Sequence, residues 1–597
     1  MTFVFKTDKL YYMKKSKLFL ATIIAGFSSL SVAQAQTARL EIIHNAADDI
    51  ASVVDVYVNA GAAPFIDNFA FRTTSGFIDV PAGVDLNIGI ALSTSTGPSD
   101  ILFTLPAVNL IEDETYIAIA NGIVSASGYM PNSIMAPFGL DVYSGAREAA
   151  VGGAGTNDVL VHHGATDAPM VDVDELNVVM SEAVNDLSYS EFQGYLALGV
   201  DNYTLQVQAA SSGGAVAAFN APLAGLGIDG AALTVLASGF LEPSVNSDGP
   251  AFGLWVSSGV AGPLLELPSP EARIEIIHNS SDAAAAVVDV FVNGTEAVPD
   301  FAYRTTTGFL TLPAGMPLSI EVAPDGAGLA GALPAIEIPF LASGATYIAV
   351  ANGIVSGSGY MPSSMDAPFG LHIYDEAREQ AANQGMSETD VLVYHGSTDA
   401  PMVDVFESGA VSATIVEDIS YSEFSADGYL ELGTSNYQLT IQDETGAVNV
   451  ASFDAPLQTL MLEDAAITVL ASGFLNPTAN SGGPMFGLWV SLGTGGDLIP
   501  LSNVTGVNEV EVINNASLFP NPTNDNSTMF FDLQDETNIK LEVINTMGQC
   551  VVIKSLGQMA SGNHRVEIPT SQMATGFYFV NLTTDSGVVS TKMQVVR

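Results

Sequence analysis

A histidine and an aspartate that recur together are the residues of this chain best suited to chemistry. In each copy the histidine ends a short apolar run, and the aspartate follows four residues later. A second aspartate, within a Val-Asp-Val segment, comes shortly afterwards. The four pairs are His44 with Asp48, His163 with Asp167, His278 with Asp282, and His395 with Asp399.

Histidine combined with aspartate can bind a metal ion or act in general acid–base catalysis. A zinc site needs three or four converging ligands, and each copy offers one recurrent histidine. Nucleophilic catalysis needs a nucleophile set against the histidine, and no Gly-x-Ser-x-Gly or comparable motif occurs. We therefore predict that the protein is not an enzyme, with no catalytic residue, no metal ligand and no cofactor; calcium is the one cation left open.

A structural role fits the recurrent pair better. His44 shares a strand face with Leu40 and Ile42, which predicts an imidazole on the core side of the strand. A half-buried imidazole needs a hydrogen-bond partner. Asp48 could supply that partner across the turn, or could instead cap the amides of the turn. The same alternatives apply to the other three copies.

The spacing of the histidines indicates tandem domains. They lie 119, 115 and 117 residues apart, a normal size for one folding unit. Longer segments recur at twice this spacing: Phe69–Thr74 returns as Phe301–Thr306, and Ser188–Phe192 returns as Ser420–Phe424. The duplicated unit is therefore a pair of domains. We predict four repeats, at 37–150, 157–268, 271–385 and 389–502, followed by a linker over 503–517.

Each repeat reads as a series of short strands. Residues alternate between apolar and polar, and Gly, Pro, Asn and Asp separate the runs. Six or seven such strands in about 110 residues are typical of a sandwich of two antiparallel sheets. The predicted fold class is all-β, with four tandem immunoglobulin-like sandwiches and a smaller β-sandwich at the C terminus.

The charge of the chain is strongly negative, with a formal net charge of −49. Residues 36–515 carry 57 acids and six bases, all of them arginine. Such a surface repels nucleic acid and anionic membranes. The acids either form a solvated surface suited to salty surroundings or include carboxylates that bind calcium. No stretch has the spacing of a calcium-binding hand.

The two tryptophans of the chain, Trp255 and Trp489, occupy the same position in repeats 2 and 4. Repeats 1 and 3 carry Asp141 and His372 at that position, which suggests that it faces outward. Both rings are therefore candidate contacts for a glycan or protein ligand. The alternative is that each ring packs on the neighbouring domain or covers a sheet edge.

Two loops, Gly128–Pro137 and Gly359–Pro368, form a weaker candidate surface. They share a Gly-Tyr-Met-Pro sequence, which we expect to place tyrosine and methionine at the loop tips. The residues in question are Tyr129, Met130, Tyr360 and Met361.

The N terminus has the features of an export signal. Lys14, Lys15 and Lys17 precede a short apolar core, and small residues allow cleavage after Ala35. Residues 1–35 are therefore the predicted signal peptide, and Met13 is a plausible true start. The mature chain holds one cysteine, Cys550, so it has no disulfide framework.

The pattern of apolar strand, His, small-residue turn, Asp and Val-Asp-Val, closing on Phe-Gly-Leu, resembles the bacterial surface family known as domain of unknown function 4397. The resemblance covers residues 37–502. It implies a sandwich fold and export, and it implies no established reaction.

Residues 518–597 resemble the C-terminal sorting domain of the type IX secretion system of Bacteroidetes. The Phe-Pro-Asn-Pro start, a Gly-x-Tyr strand and a basic terminal strand occur in order. The resemblance implies transport across the outer membrane, removal of the domain near its start, and release or anchoring on lipopolysaccharide. The secretion machinery is the implied partner, and the mature protein is expected to lack a transmembrane segment. The sorting motif residues are Pro520, Asn521 and Pro522.

We thus predict a secreted or cell-surface protein that acts in adhesion or extracellular binding of glycans or proteins. The alternatives are an extracellular metal-dependent hydrolase and a purely structural surface spacer.

Overall fold

The computed structural model describes residues 36–132, 134–504, 513–546, 548–584 and 587–597. Nearly all regular structure in them is β-strand, which confirms the predicted all-β sandwich fold. The predicted signal segment, with Met13 and Ala35, lies outside the described residues. Within the described residues, no helix is long and apolar enough to cross a membrane.

The described chain forms two compact units. The first comprises residues 36–124, 137–147 and 259–263, and the second comprises 125–136, 148–258 and the part after 264. Repeat 1 makes up most of the first unit. Repeats 2, 3 and 4 and the C-terminal domain belong to the second.

Repeats 1 and 2 of the sequence hold ten described strands each. Repeat 1 holds β1 (Thr37–His44), β2 (Val53–Val58), β3 (Ile66–Ala70), β4 (Thr73–Pro81), β5 (Asp85–Leu86), β6 (Ile88–Leu92), β7 (Phe103–Thr104), β8 (Val108–Asn109), β9 (Thr115–Asn121) and β10 (Gly139–Ser144). Repeat 2 holds β11 (Thr156–His163), β12 (Val171–Glu175), β13 (Ser181–Leu187), β14 (Phe192–Gly199), β15 (Asn202–Ala209), β16 (Gly214–Pro222), β17 (Ala232–Ser238), β18 (Gly253–Ser257), β19 (Gly262–Pro263) and β20 (Leu265–Glu266).

The second pair repeats this order. Repeat 3 holds β21 (Glu271–His278), β22 (Val287–Val292), β23 (Thr295–Ala302), β24 (Thr305–Pro313), β25 (Leu318–Pro324), β26 (Ile336–Ile338), β27 (Thr346–Asn352) and β28 (Gly370–Tyr374). Repeat 4 holds β29 (Glu388–Tyr394), β30 (Val403–Glu407), β31 (Ala413–Ile419), β32 (Leu430–Gly433), β33 (Asn436–Asp443), β34 (Asn449–Pro456), β35 (Ala466–Ser472), β36 (Gly487–Leu492), β37 (Gly496–Asp497), β38 (Ile499–Pro500) and β39 (Ser502–Asn503).

The C-terminal domain holds seven described strands. They are β40 (Ile513–Phe519), β41 (Asn526–Leu533), β42 (Thr537–Asn545), β43 (Cys550–Met559), β44 (Gly562–Pro569), β45 (Gly576–Thr584) and β46 (Gly587–Val595). Of the predicted linker, Asn503 therefore lies in β39 and residues 513–517 lie in β40. Short 3-10 helices occupy Asp49–Ala51, Pro98–Asp100, Leu223–Gly225, Pro243–Val245, Ala283–Ala285, Leu329–Gly331 and Pro477–Ala479.

Each repeat packs a five-stranded sheet on a second sheet. The first sheets, which we call the large sheets, run β10-β9-β1-β4-β19, β14-β11-β17-β18-β20, β28-β27-β21-β24-β37 and β32-β29-β35-β36-β38; in repeat 4 the second sheet also has five strands. In each, the strand that leads to the recurrent histidine is an interior strand and pairs in parallel with one neighbour, for example β21 with β27. Most other pairings are antiparallel.

In the second pair, one short strand of repeat 4 joins a sheet of repeat 3. β37 belongs to repeat 4 in sequence, yet it adds to the edge of the large sheet of repeat 3 by pairing with β24. β19 extends the large sheet of repeat 1 in the same way. Two-residue strands are too short to show a periodic pattern, so the sequence did not predict that these strands join the sheet of the preceding repeat.

Repeats 3 and 4 share a core in addition to their own. Ile276 on β21 packs into the core of repeat 3, while its neighbour Ile277 packs with Leu392, Tyr394 and Leu470 of repeat 4. The two faces of one strand thus serve two cores. The large sheets of this pair are therefore buried on both sides, and β21 is buried along most of its length although its sequence contains three charged residues.

Candidate binding surface

All four recurrent histidines are fully buried, with exposed fractions of 0% to 2%. The Nε2 atom of His278 donates to the backbone carbonyl of Ala285 at 2.7 Å, across the 3-10 turn that follows the strand. The prediction of a half-buried imidazole is therefore wrong, and so is the alternative in which the aspartate supplies its partner, because a backbone carbonyl takes that place. The other three pairs are His44 with Ala51 at 2.7 Å, His163 with Pro169 at 2.9 Å, and His395 with Pro401 at 3.0 Å.

Burial keeps these imidazoles neutral. It lowers the pKa of His44 and His278 to about 4, against the opposing effect of the hydrogen bond to the carbonyl. Burial likewise lowers the pKa of His163 and His395. A neutral, enclosed ring that donates to a backbone carbonyl acts as a structural anchor.

All four aspartates accept backbone amides, and in repeats 1 and 3 these include an amide of the aspartate's own turn, as the second alternative predicted. Asp282 accepts from the amide of Ala284 in its own turn and from that of Val355 in a distant loop, both at 2.9 Å. Asp399 accepts from the amide of Leu475 at 2.7 Å. Each aspartate therefore fixes a loop that lies far away in the sequence.

In the even repeats the aspartate also fixes an asparagine. Asn480, which is fully buried, donates from Nδ2 to Asp399 Oδ2 at 2.9 Å, and its Oδ1 accepts the amide of Met361 at 2.8 Å. Ser481 Oγ donates to the carbonyl of Gly359 at 2.8 Å. The same contacts recur at Asn246, with Asp167 and Met130 at 2.9 Å each, and from Ser247 to Gly128 at 2.8 Å.

The loops held in this way are the Gly-Tyr-Met-Pro loops, which we call the methionine loops (residues 128–136 and 359–367). Tyr360 is 7% exposed, and its ring lies 5.7 Å from that of Phe474. Tyr129 is 6% exposed and lies 5.6 Å from Phe240. The expectation that both tyrosines sit at the loop tips is therefore wrong, since they are the internal anchors of the loops.

The methionine loops present apolar side chains to solvent. Met361 and Met365 are 71% and 91% exposed, and the first loop shows the same feature. Clustered exposed apolar side chains on a soluble protein mark interaction sites. Methionine suits such a role because its flexible thioether adapts to the shape of a partner. The exposed fractions in the first loop are 66% for Met130, 83% for Ile134 and 73% for Met135.

The tryptophans are less accessible than expected. Trp489 is only 8% exposed, and the guanidinium of Arg304 in repeat 3 lies 4.0 Å from the centre of its ring. Arg304 also donates to Ser472 Oγ at 3.0 Å and to the carbonyl of Met485 at 3.1 Å. The predicted exposure of Trp489 is therefore wrong, and the alternative of packing on the neighbouring domain is confirmed. Trp255 is half-buried, and its role as a ligand contact stays a prediction.

One group of acidic side chains among the described residues lies close enough to share a cation. Carboxylate oxygens of Asp289, Asp300 and Asp325 lie within 4.8 Å of one another. Asp289 also accepts the amides of Asp300 and Gly326, at 3.0 and 3.1 Å, so it shapes the turns around it. Oxygen ligands of this kind suit a hard cation such as calcium.

The C-terminal domain matches a known family. Residues 517–596 match the family model described as a secretion system C-terminal sorting domain. The chain therefore carries a type IX sorting domain and is a protein exported to the cell surface or exterior. The type IX machinery is its implied partner. No curated protein matches the chain.

Comparison with solved structures gives distant likenesses. The TIE protein of Bacillus anthracis is 11% identical with a TM-score of 0.12, over 81% of this chain and 74% of that one. Latent PorU from Porphyromonas gingivalis is 10% identical with a TM-score of 0.13, over 72% and 29%. PorZ, a surface component of the type IX system of Porphyromonas gingivalis, is 12% identical with a TM-score of 0.12, over 87% and 77%. TM-scores this low support no structural conclusion.

Proposed function

We propose that this exported protein is a non-enzymatic adhesion or binding protein that contacts a protein partner through its methionine loops. The observation that carries the proposal is the exposure of Met361 and Met365 on a loop whose backbone is fixed by the buried Asn480. Burying one such side chain in a complex contributes about 1.5–3 kcal/mol. Two copies of the loop on one chain add avidity without any new contact.

A protein partner fits these loops better than a glycan. Sugar rings stack on flat aromatic faces, and the aromatic residues of both loops, Tyr129 and Tyr360, are buried. Trp489 is covered by Arg304. The exposed apolar groups of the loops are aliphatic and thioether side chains, which match apolar patches of a folded protein.

The absence of enzymatic activity belongs to this proposal. Its support is the state of the recurrent histidines, which are enclosed, neutral and bonded to backbone carbonyls. A metal ligand or general base needs an accessible ring nitrogen. The resemblance of residues 37–502 to domain of unknown function 4397 agrees with a passive extracellular role.

The rival functions make different predictions. A metal-dependent hydrolase needs a stoichiometric metal in protein purified without chelator. A surface spacer has no ligand at all, so its loops tolerate any polar substitution.

The test is a binding screen of the exported chain against immobilised extracellular matrix proteins and a glycan array. We expect binding to one or more proteins, reduced at least tenfold by Met361→Ser with Met365→Ser. Met386→Ser with Met461→Ser is the matched control, because these residues are 70% and 81% exposed and lie outside the loops. Binding to glycans alone, or equal loss in both double variants, would contradict the proposal.

A further inference from the structure

We propose that the outer face of the four-stranded sheet of the sorting domain is the surface by which the export machinery recognises this chain, and that it fits an acidic surface with apolar hollows. This sheet runs β43-β42-β45-β46. Its inner face is the domain core, which includes Leu541, Val543, Val580 and Leu582, each fully buried.

The outer face carries the residues that alternate with this core. On β45, Phe577 is 44% exposed and precedes the buried Tyr578. On the edge strand β43, Ile553 is 61% exposed and pairs in register with Glu542 of β42. An aromatic ring and an aliphatic side chain thus stand exposed on one regular surface. Regular sheet positions are held more precisely than loop positions, which suits recognition of a shared signal.

Two lysines flank these apolar groups. Lys592 Nζ lies 4.1 Å from the centre of the Phe577 ring, an arrangement in which cation and ring support each other. Lys540 pairs with Glu542 at 2.8 Å. A cation held over an aromatic ring is a favourable arrangement, and aromatic side chains are enriched among the residues that contribute most to binding at protein interfaces.

The distribution of charge along the chain indicates which kind of partner fits this face of the sorting domain. Residues 36–515 contain no lysine and carry a net charge of −51, whereas residues 516–597 carry five bases and seven acids. An acidic receptor attracts the lysine-bearing face of the sorting domain and repels the acidic residues 36–515. It therefore orients the chain with its sorting domain foremost. The partner we infer is a component of the secretion machinery with an acidic, apolar docking surface.

The opposite sheet of the same domain supplies a matched control. Phe530 on β41 is 40% exposed and pairs in register with Arg565 on β44, which is also exposed. This second pair of an exposed phenylalanine and a cation lies on the other sheet of the same domain.

The experiment measures the exported fraction of the full chain in a bacterium with a type IX system. We expect Phe577→Ala with Lys592→Glu to lower export at least tenfold and to leave the protein in the periplasm. Phe530→Ala with Arg565→Glu should be exported like the wild type. Equal export of both variants, or equal loss, would overturn the proposed surface. If the first variant unfolds below growth temperature, Ile553→Ser with Lys592→Glu replaces it, since both side chains are exposed.

Two further measurements test type IX sorting itself and the accessibility of the proposed face. A chain that ends before residue 513 should stay in the periplasm, and its export would refute type IX sorting. In the purified full chain, Lys540 and Lys592 should react readily with an acetylating reagent. If both resist, the acidic repeats of the chain cover the face and the machinery is not its occupant.

Discussion

Asp399 and Asn480 are joined by a hydrogen bond of 2.9 Å from Nδ2 to Oδ2, and this contact sets the position of an exposed loop. The other end of the Asn480 amide accepts the backbone N–H of Met361. The aspartate of the recurrent motif therefore supports the candidate binding surface without touching a ligand.

Asn480→Ala tests this link. The change leaves the amide N–H of Met361 without its partner and removes one of the two hydrogen bonds to Asp399 Oδ2, at a cost of about 1–3 kcal/mol in the free energy of unfolding. We expect lower stability in urea unfolding and faster proteolysis within residues 359–367. Asn449→Ala is the control, since Asn449 is exposed and its side chain bonds to Gln442 alone among the described residues. If Asn480→Ala is as stable as the wild type, the loop at residues 359–367 keeps its conformation without the Asn480 side chain.

The buried histidines predict loss of stability in acid. Because the folded pKa of His278 is about 4 and its unfolded pKa is near 6.5, the unfolded chain binds more protons between these values. The stabilising effect is thus full above pH 6.5 and falls as the pH drops to 4, by roughly 3 kcal/mol for this residue.

The measurement is urea unfolding between pH 4 and 7 with Trp255→Phe as background, so that Trp489 fluorescence reports on repeats 3 and 4. His278→Gln should be less stable than this parent at pH 7, and the gap should narrow towards pH 4. A gap that stays constant across this range would show that His278 does not titrate on unfolding.

The contact of Arg304 with Trp489 predicts that replacing Arg304 by lysine destabilises the protein more than the same change at Arg273. Arg304 is half-buried between repeats 3 and 4, where lysine cannot reproduce its two hydrogen bonds and its stacking. We expect Arg304→Lys to lower the free energy of unfolding by about 2 kcal/mol or more. Arg273→Lys, at an exposed ion pair with Glu379, should change it by less than about 1 kcal/mol. Similar effects of both changes would contradict the bridging role of Arg304.

Gly396 predicts a steric effect at the same interface. A Cβ atom there would lie 2.0 Å from Asn279 Nδ2 and 2.6 Å from the carbonyl of Ala471. Gly396→Ala should therefore push repeats 3 and 4 apart and destabilise the pair by about 1–3 kcal/mol. Gly357→Ala is the control, because open space surrounds that position. Calorimetry of both variants gives the comparison, and unchanged unfolding of Gly396→Ala would refute the close packing.

The alternating motif has a physical reason that one sequence could not reveal. The odd repeats read His-Asn and the even repeats read His-Gly. In the second pair, Asn279 Nδ2 donates to the carbonyl of Ala471 at 3.2 Å in space that the missing side chain of Gly396 leaves open. The asparagine of one repeat and the glycine of the next therefore differ because they meet at the contact between the two repeats.

Sequence periodicity predicted the all-β fold and the core-facing histidines, because both depend on local alternation. It missed the partner of each histidine, since a backbone carbonyl of the segment after the strand takes that place and alternation does not encode the geometry of that segment. It also misjudged Trp489. The equivalent His372 looked like an outward residue, yet it lies in the same interface, where the hydroxyl of Tyr394 and His372 Nδ1 are 2.9 Å apart.

The most direct test of the binding surface is methionine oxidation in the presence of a partner found by the screen. Dilute peroxide should oxidise Met361, Met365, Met386 and Met461 of the free chain, since all are at least 70% exposed. In the complex, we predict at least fivefold slower oxidation of Met361 and Met365, with unchanged rates at Met386 and Met461. Unprotected loop methionines in a saturated complex would show that the partner binds elsewhere.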